Sequence, residues 1–273
     1  MEVFNTENLK KLFIPQPGSH KGDNGKVMII GGSKLFHAAS LWPLAVASKI
    51  VDMVFYSSVP ENNELVKQAK QEWRNGIVVA RATIDAYIRE ADAVLIGPGL
   101  PRESGVEEGD DDTKKLTEEL LQKYPDKRWV IDGGSLQVMD PSLIPPHAIL
   151  TPHHKEFETL FGVSGTIGSC LAMAKKYDCV IVLKGQEDIV CSRKQCVRIA
   201  GGNAGMTKGG TGDVLAGLVV SLYAQNNDPF LVASCSSYIN KKAGESLAET
   251  VGIYYNASDV AQEIPRVMKQ LLF

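Results

Sequence analysis

Short, uninterrupted apolar runs alternate along this chain with longer stretches in which apolar residues return every three or four positions. The run at 26–30 (KVMII) closes on Gly31, Gly32 and Ser33, which predicts a strand buried on both faces followed by a tight turn. Helical spacing takes over at 38–51, with Pro43 in the opening turns, where a missing N–H is tolerated. The same pattern predicts strands at 53–56, 76–80, 92–96, 128–131 and 148–150, and helices at 61–73, 113–124, 154–161 and 167–177. From residue 180 the texture changes. The runs at 180–183, 188–191 and 196–199 are closely spaced with turn-like links, the pattern of an antiparallel edge or hairpin. A glycine-rich stretch then leads into three helices, at 213–225, 229–248 and 257–272.

Buried strands alternating with helices predict an α/β fold, a mostly parallel central sheet with helices on both faces and a small antiparallel edge. Residues 1–273 contain no long linker, repeat or low-complexity tract, so a single domain is expected. Ligands bind such sheets beyond the carboxyl ends of the strands. Four turns follow strands directly, Gly31-Gly32-Ser33, Gly97-Pro98-Gly99, Asp132-Gly133-Gly134 and Thr151-Pro152-His153, and parallel strands would set all four along one rim.

Composition narrows the partners. A formal net charge of -3 and a pI near 6.0 give no basic footprint for nucleic acid or an anionic membrane. No apolar run is long enough to span a bilayer, and the first residues lack the pattern of a signal peptide, so a cytoplasmic protein is expected. The 5 cysteines are scattered and odd in number, which suits reduced thiols; Cys191 and Cys196 read as strand residues flanking a hairpin. The acidic run at 105–112 reads as a solvated loop before a helix start.

The strongest chemical signal is residues 201–217, GGNAGMTKGGTGDVLAG, with 7 glycines and a single carboxylate, Asp213. Glycines ending at a helix start present unpaired N–H groups where the helix dipole also favours an anion, so phosphate is the expected guest. A carboxylate beside a phosphate cradle repels its ligand unless it has chemical work, and removing a proton from an attacking hydroxyl is such work. Neither a Walker-type phosphate loop nor a dinucleotide-binding G-x-G-x-x-G opens the first helix. His153 and His154 lack metal-ligand spacing; His153, after the Thr-Pro turn, is placed on the ligand rim instead. Lys184-Gly185 ends another strand on that rim. Together these features point to phosphoryl transfer onto a hydroxyl.

Six segments, in order, resemble the NAD(P)H-hydrate dehydratase family: GDNGKVMIIGGS (22–33), IGPGL (96–100), VIDGGSL (130–136), LTPHHKEFETLFG (150–162), LKG (183–185) and GNAGMTKGGTGDVLAG (202–217). The resemblance implies a ribokinase-like fold and a metabolite-repair lyase. In this family a nucleotide phosphorylates the hydroxyl that water has added to the nicotinamide ring of NADH or NADPH, and loss of phosphate restores the ring. It implies Asp213 as the base, Gly210, Thr211 and Gly212 as an anion hole, and Ala39, Gly99, His153 and Asp213 as contacts of the hydrate. Lys184, Gly185, Gln186, Glu187, Asp188 and Gly212 match positions that contact the adenine nucleotide. It also implies magnesium, ADP or ATP as co-substrate with ADP favoured in the absence of a fused epimerase segment, and a homotetramer.

Three positions depart from the family pattern. Ala38-Ala39 follows His37, Asp132 lacks the usual second acid, and Asp188 stands where a threonine is usual. The alternatives are a small-alcohol kinase of the hydroxyethylthiazole or hydroxymethylpyrimidine type, and a non-catalytic nucleotide sensor.

Overall fold

The computed structural model describes residues 2–69, 71, 75–102 and 106–273. The predicted helix end at 72–73 and the start of the acidic run at 105 lie outside the described residues. Ten strands form one sheet among the described residues: Glu2–Val3 (β1), Lys26–Ile30 (β2), Met53–Ser57 (β3), Ile77–Val78 (β4), Ala93–Ile96 (β5), Arg128–Ile131 (β6), Ile149–Leu150 (β7), Val180–Leu183 (β8), Asp188–Cys191 (β9) and Cys196–Ile199 (β10). Their order is β1-β10-β9-β8-β7-β6-β5-β2-β3-β4. From β4 to β8 every neighbouring pair is parallel, while β9 is antiparallel to both β8 and β10. The predicted parallel sheet with an antiparallel edge is therefore observed.

Strand residues alternate between two cores, as the period of a pleat requires. Val27, Ile29, Leu95 and Val130 join one cluster, whereas Met28, Ile30, Val94, Ile96 and Trp129 join the other. Both sides are apolar because helices cover both, so the strands read as continuous apolar runs. The first face carries Leu41–Ala47 (α1), Thr211–Gln225 (α8), Pro229–Val251 (α9) and Ala257–Leu272 (α10). The second carries Ile84–Glu90 (α3), Thr113–Lys123 (α4), Gly133–Val138 (α5), His154–Phe161 (α6) and Ile167–Lys176 (α7), while Pro60–Ala69 (α2), whose Val66 joins the first cluster, lies beside the edge strand β4. α8 is buried almost all round, from Val214 to Ala224, because it lies between the sheet and the other helices of its face.

Several elements differ from the sequence reading, among them the two-residue strand β1, which no apolar run announces. Asp132-Gly133-Gly134 is more than a turn: Asp132 is the N-terminal cap of the short helix α5. α3 has only Ile84 and Ile88 buried, too few apolar positions to announce a helix. The expectation of reduced thiols throughout is corrected at one pair: Cys191 and Cys196 form a disulfide, and Cys170, Cys179 and Cys235 are free and buried. The two bonded cysteines are direct cross-strand partners of β9 and β10, with Cα atoms 4.1 Å apart, so hairpin register brings the sulfurs together. The acidic run divides its work. Asp112 caps α4, Asp111 pairs with Arg81, and Asp110 accepts from the Lys34 N–H.

Candidate active site

The four predicted turns do share one rim. Gly32 N–H donates to Pro98 O at 2.7 Å and Gly134 N–H to Gly97 O at 3.1 Å, so the turns after β2, β5 and β6 are bonded to one another. Lys184 N–H donates to Pro152 O at 2.8 Å and extends the rim to the ends of β7 and β8. The N-terminus of α8 opens onto this rim between two cavities, of about 670 and 770 Å³.

Glycine is required where α8 begins. Gly210, its cap residue, sits at φ 95°, and a side chain there would strike the Trp42 ring. Thr211 ties the loop down, its hydroxyl donating to Met206 O at 2.6 Å. Among the described residues, the backbone N–H groups of Gly210, Gly212 and Asp213 have no protein acceptor, and no side chain caps the helix. Thr211 contributes less to an anion hole, since its N–H is aimed at Lys208 O, 3.4 Å away. This is the arrangement that binds an oxyanion: unpaired donors at the positive end of a 15-residue helix.

The larger cavity is lined by Ala39, Gly99, His153 and Asp213, so the structure brings together all the residues expected to hold the hydrate. Gly99 lies at φ 70°, and a side chain on it would collide with Ala39. His37 lines the same cavity, and its Nδ1 is buried with no partner. The smaller cavity is lined by Lys184, Gly185, Gln186, Glu187, Asp188 and Gly212, again as a group, together with Gly201, Gly202, Ala204, Leu215, Asn240 and Lys241. Lys184, Met206, Thr207, Thr211 and Gly212 line both cavities and mark where they join.

Asp188 does not offer its charge to a ligand. One carboxylate oxygen accepts from Gly185 N–H at 3.0 Å and lies 3.3 Å from Lys241 Nζ; the other accepts from the Ser237 hydroxyl at 2.7 Å. The carboxylate that takes the place of the family's threonine is thus neutralised inside the wall, and it holds the Lys184-Gly185 turn in shape.

Around Lys184 the balance is different. Its Nζ lies 3.0 Å from Asp132 Oδ1 and 3.9 Å from Glu156 Oε2, and both acids are almost fully buried. Asp132 does not act alone, as the sequence suggested, because Glu156 supplies a second acid. Thr151 Oγ1 also donates to Asp132 Oδ1, at 2.8 Å. Glu156 reaches the site through a capping box: its side chain accepts from His153 N–H, while Glu156 N–H donates to His153 Nδ1 at 3.1 Å. That bond leaves Nε2 to carry the imidazole proton towards Glu156 Oε1, 3.5 Å away. The sequence signal for Glu156 was present, an acid three residues after the cap position. Burial, with the charges of Asp132 and Glu156 in support and Lys184 opposing, pushes Asp213 well above the usual carboxylate range. Burial also raises Glu156, against the pull of Lys184. For Lys184 itself burial would lower the pKa, but Asp132 and Glu156 outweigh it and hold the ammonium charged.

Among the described residues, no group of three or more His, Cys, Asp or Glu side chains could hold a metal ion. Asp132 and Glu156 already have Lys184, Thr151 and His153 as partners. The side chains therefore form no cage for magnesium, which fits here only as a companion of nucleotide phosphates.

Known proteins share this fold. A protein from Enterococcus faecalis described as ribokinase-like superposes with a TM-score of 0.86 at 23% identity, covering 99% of this chain and 96% of that one. A Bacillus subtilis ADP/ATP-dependent NAD(P)H-hydrate dehydratase, co-crystallised with ATP/Mg2+, superposes with a TM-score of 0.79 at 21% identity, covering 99% and 98%. The fold is ribokinase-like. In sequence, the chain is 37% identical over 269 residues to a bifunctional NAD(P)H-hydrate repair enzyme of Methanocaldococcus jannaschii, covering 96% of this chain but 52% of that protein. The chain thus spans about half the length of its bifunctional relatives. It is 31% identical to an ADP-dependent (S)-NAD(P)H-hydrate dehydratase of Nitrosopumilus maritimus, covering 97% of this chain and 96% of that protein. Residues 27–266, which include every side chain of the site described above, match the family model, and the chain belongs to the NAD(P)H-hydrate dehydratase family.

Proposed function

We propose that this chain dehydrates hydrated NADH or NADPH at the expense of a nucleotide, with ADP favoured over ATP, through a phosphorylated intermediate. One observation carries the reading. A carboxylate, Asp213, stands in the first turn of α8, beside backbone N–H groups that have no acceptor among the described residues, where two cavities large enough for two nucleotide-like molecules join. The adenine nucleotide occupies the cavity beside Asp188 and Lys241, and the hydrate occupies the one beside Ala39, Gly99 and His153. Asp213 accepts the proton of the ring hydroxyl as its oxygen bonds to the terminal phosphorus, and the bridging P–O bond breaks with its electron pair leaving on the nucleotide. Gly210 and Gly212 donate to the transferring group. The ring C–O bond then breaks, phosphate departs with the electron pair, and loss of the neighbouring ring proton restores the double bond. Phosphorylation matters because hydroxide is a poor leaving group and phosphate a good one. When bound, magnesium would screen the nucleotide phosphates.

The same proposal takes residues 1–273 as one functional unit, acting in the cytoplasm as a homotetramer. The activity test is direct. Purified protein given hydrated NADH or NADPH, magnesium and either ADP or ATP should regain the absorbance of the reduced nicotinamide, faster with ADP. No recovery with either nucleotide would refute the assignment.

A further inference from the structure

Family resemblance groups Lys184 with the nucleotide contacts, but its ammonium lies on the other side of the junction. Lys184 Nζ is 3.0 Å from Asp132 and 3.9 Å from Glu156, and both acids line the hydrate cavity and not the nucleotide cavity. A Cβ placed on Gly212, inside the anion hole, would come within 3.1 Å of the same nitrogen. Lys184 is thus a cation within reach of the point where the phosphoryl group must cross, next to Gly212 of the anion hole.

We propose that Lys184 is a catalytic residue of the phosphoryl transfer: its ammonium passes from Asp132 and Glu156 to the phosphoryl oxygens as that group moves from the nucleotide to the hydroxyl. The inference rests on the phosphoryl-transfer reading above. In the transfer the substrate oxygen forms a bond to the terminal phosphorus of the donor. The bond from that phosphorus to the bridging oxygen breaks, the electron pair leaves on the shortened nucleotide, and the hydroxyl proton goes to Asp213. Lys184 gives up no proton; it offsets the charge that spreads over the phosphoryl and leaving oxygens. Among the described residues no side chains form a cage for a metal ion, and Asp132 and Glu156 hold this ammonium in place at the junction.

A second consequence concerns ionisation. Asp132 after β6 and Glu156 of α6 pair with the single ammonium of Lys184 after β8, and Asp213 of α8 feels the same charges; His153 faces Glu156, and His37, Arg102 and Lys208 also line the cavity. Removing that ammonium leaves three carboxylates together and makes Asp213 harder to ionise, in line with the opposition of Lys184 to its raised pKa.

The test uses the full chain with Lys184→Met and Lys184→Arg, each checked for folding by circular dichroism. Lys184→Met should lower kcat for hydrate repair by roughly 100- to 1,000-fold, the range for loss of one charge-stabilising donor. Its Kd for ADP, measured calorimetrically without hydrate, should stay within about threefold of wild type, since the adenosine contacts are elsewhere. The acid limb of its kcat profile should move to higher pH. Lys184→Arg keeps the charge in a different shape, so kcat should fall by about tenfold with the acid limb in place. If Lys184→Met does not fold, the arginine variant decides by the split between kcat and Kd for ADP alone: a fall in kcat with Kd for ADP near wild type supports the inference, and a Kd for ADP that weakens as much as kcat/KM overturns it. A Kd for ADP that weakens as much as kcat/KM, with the acid limb unmoved, makes Lys184 a nucleotide contact only and overturns the inference. So does an unchanged kcat in a wild-type background that repairs hydrate. A wild-type chain that regains no reduced cofactor overturns the functional reading and the inference together.

Discussion

In the nucleotide-side cavity the acid is neutralised before any ligand arrives. Asp188 has Lys241, Ser237 and Gly185 N–H as partners, and Lys241 also donates to Gly185 O and Gln186 O at 3.3 and 3.1 Å. In the hydrate-side cavity, which joins it beside Lys184, Asp132 and Glu156 share one ammonium with Asp213 nearby, and burial raises the pKa of Glu156 and, further, that of Asp213. The contrast separates two tasks. A wall that only has to position a ligand is served by closed, paired charges, which fix its shape. A wall that must take a proton is served by charges left in conflict, because the conflict tunes the base.

The largest effect should come from opening the closed wall. Lys241→Met strands the Asp188 carboxylate in a buried position and should destabilise the fold by about 3–5 kcal/mol, read from urea unfolding. Replacing both, with Asp188→Thr and Lys241→Met, should recover much of that loss. If the single variant were as stable as wild type, the description of this wall as charge-paired would fail.

Next in size is the other wall. Asp213→Asn should slow repair by at least ~100-fold while Kd for ADP stays near wild type. Equal losses in both would mean that Asp213 belongs to the binding wall, and the contrast between the cavities would collapse.

The hairpin beside the nucleotide cavity is a smaller test. Cys191→Ser removes the disulfide, and the entropy of closing so short a loop corresponds to about 2 kcal/mol. Thermal unfolding with and without reductant should differ in wild type and coincide in the variant.

The gentlest test is the pH profile. A carboxylate whose pKa is raised is protonated, and useless as a base, at pH values where an ordinary one is ionised. Activity should therefore rise with pH along an acid limb lying above the normal range near ~4. A limb at or below that range would mean that the three carboxylates are not in conflict.

Much of this was legible beforehand because it is encoded locally. The apolar runs that became β2, β5, β6 and β8 are continuous since each strand is covered on both faces, and the glycines before Asp213 announce a helix start that a backbone-bound anion can approach. What escaped was weak in local signal or non-local in origin. α3 buries only two apolar residues, and Asp132-Gly133-Gly134 looked like a turn because glycines hide the helix that Asp132 begins. The disulfide depends on β9 and β10 pairing with Cys191 opposite Cys196, and spacing alone does not establish register.

The same distinction runs through the site. The sequence by itself determined the fold class, the ligand rim and the identity of the acid at the start of α8, since periodicity and glycine chemistry act between near neighbours. Only the tertiary structure decided which charges meet. Asp132 and Lys184 directly follow β6 and β8, which flank β7, and two strand spacings put the strand ends about 9–10 Å apart, within reach of an extended lysine. Asp188 and Lys241 likewise meet only because α9 packs on β9. Charge pairing depends on strand order and helix placement, and those emerge when the whole chain has folded.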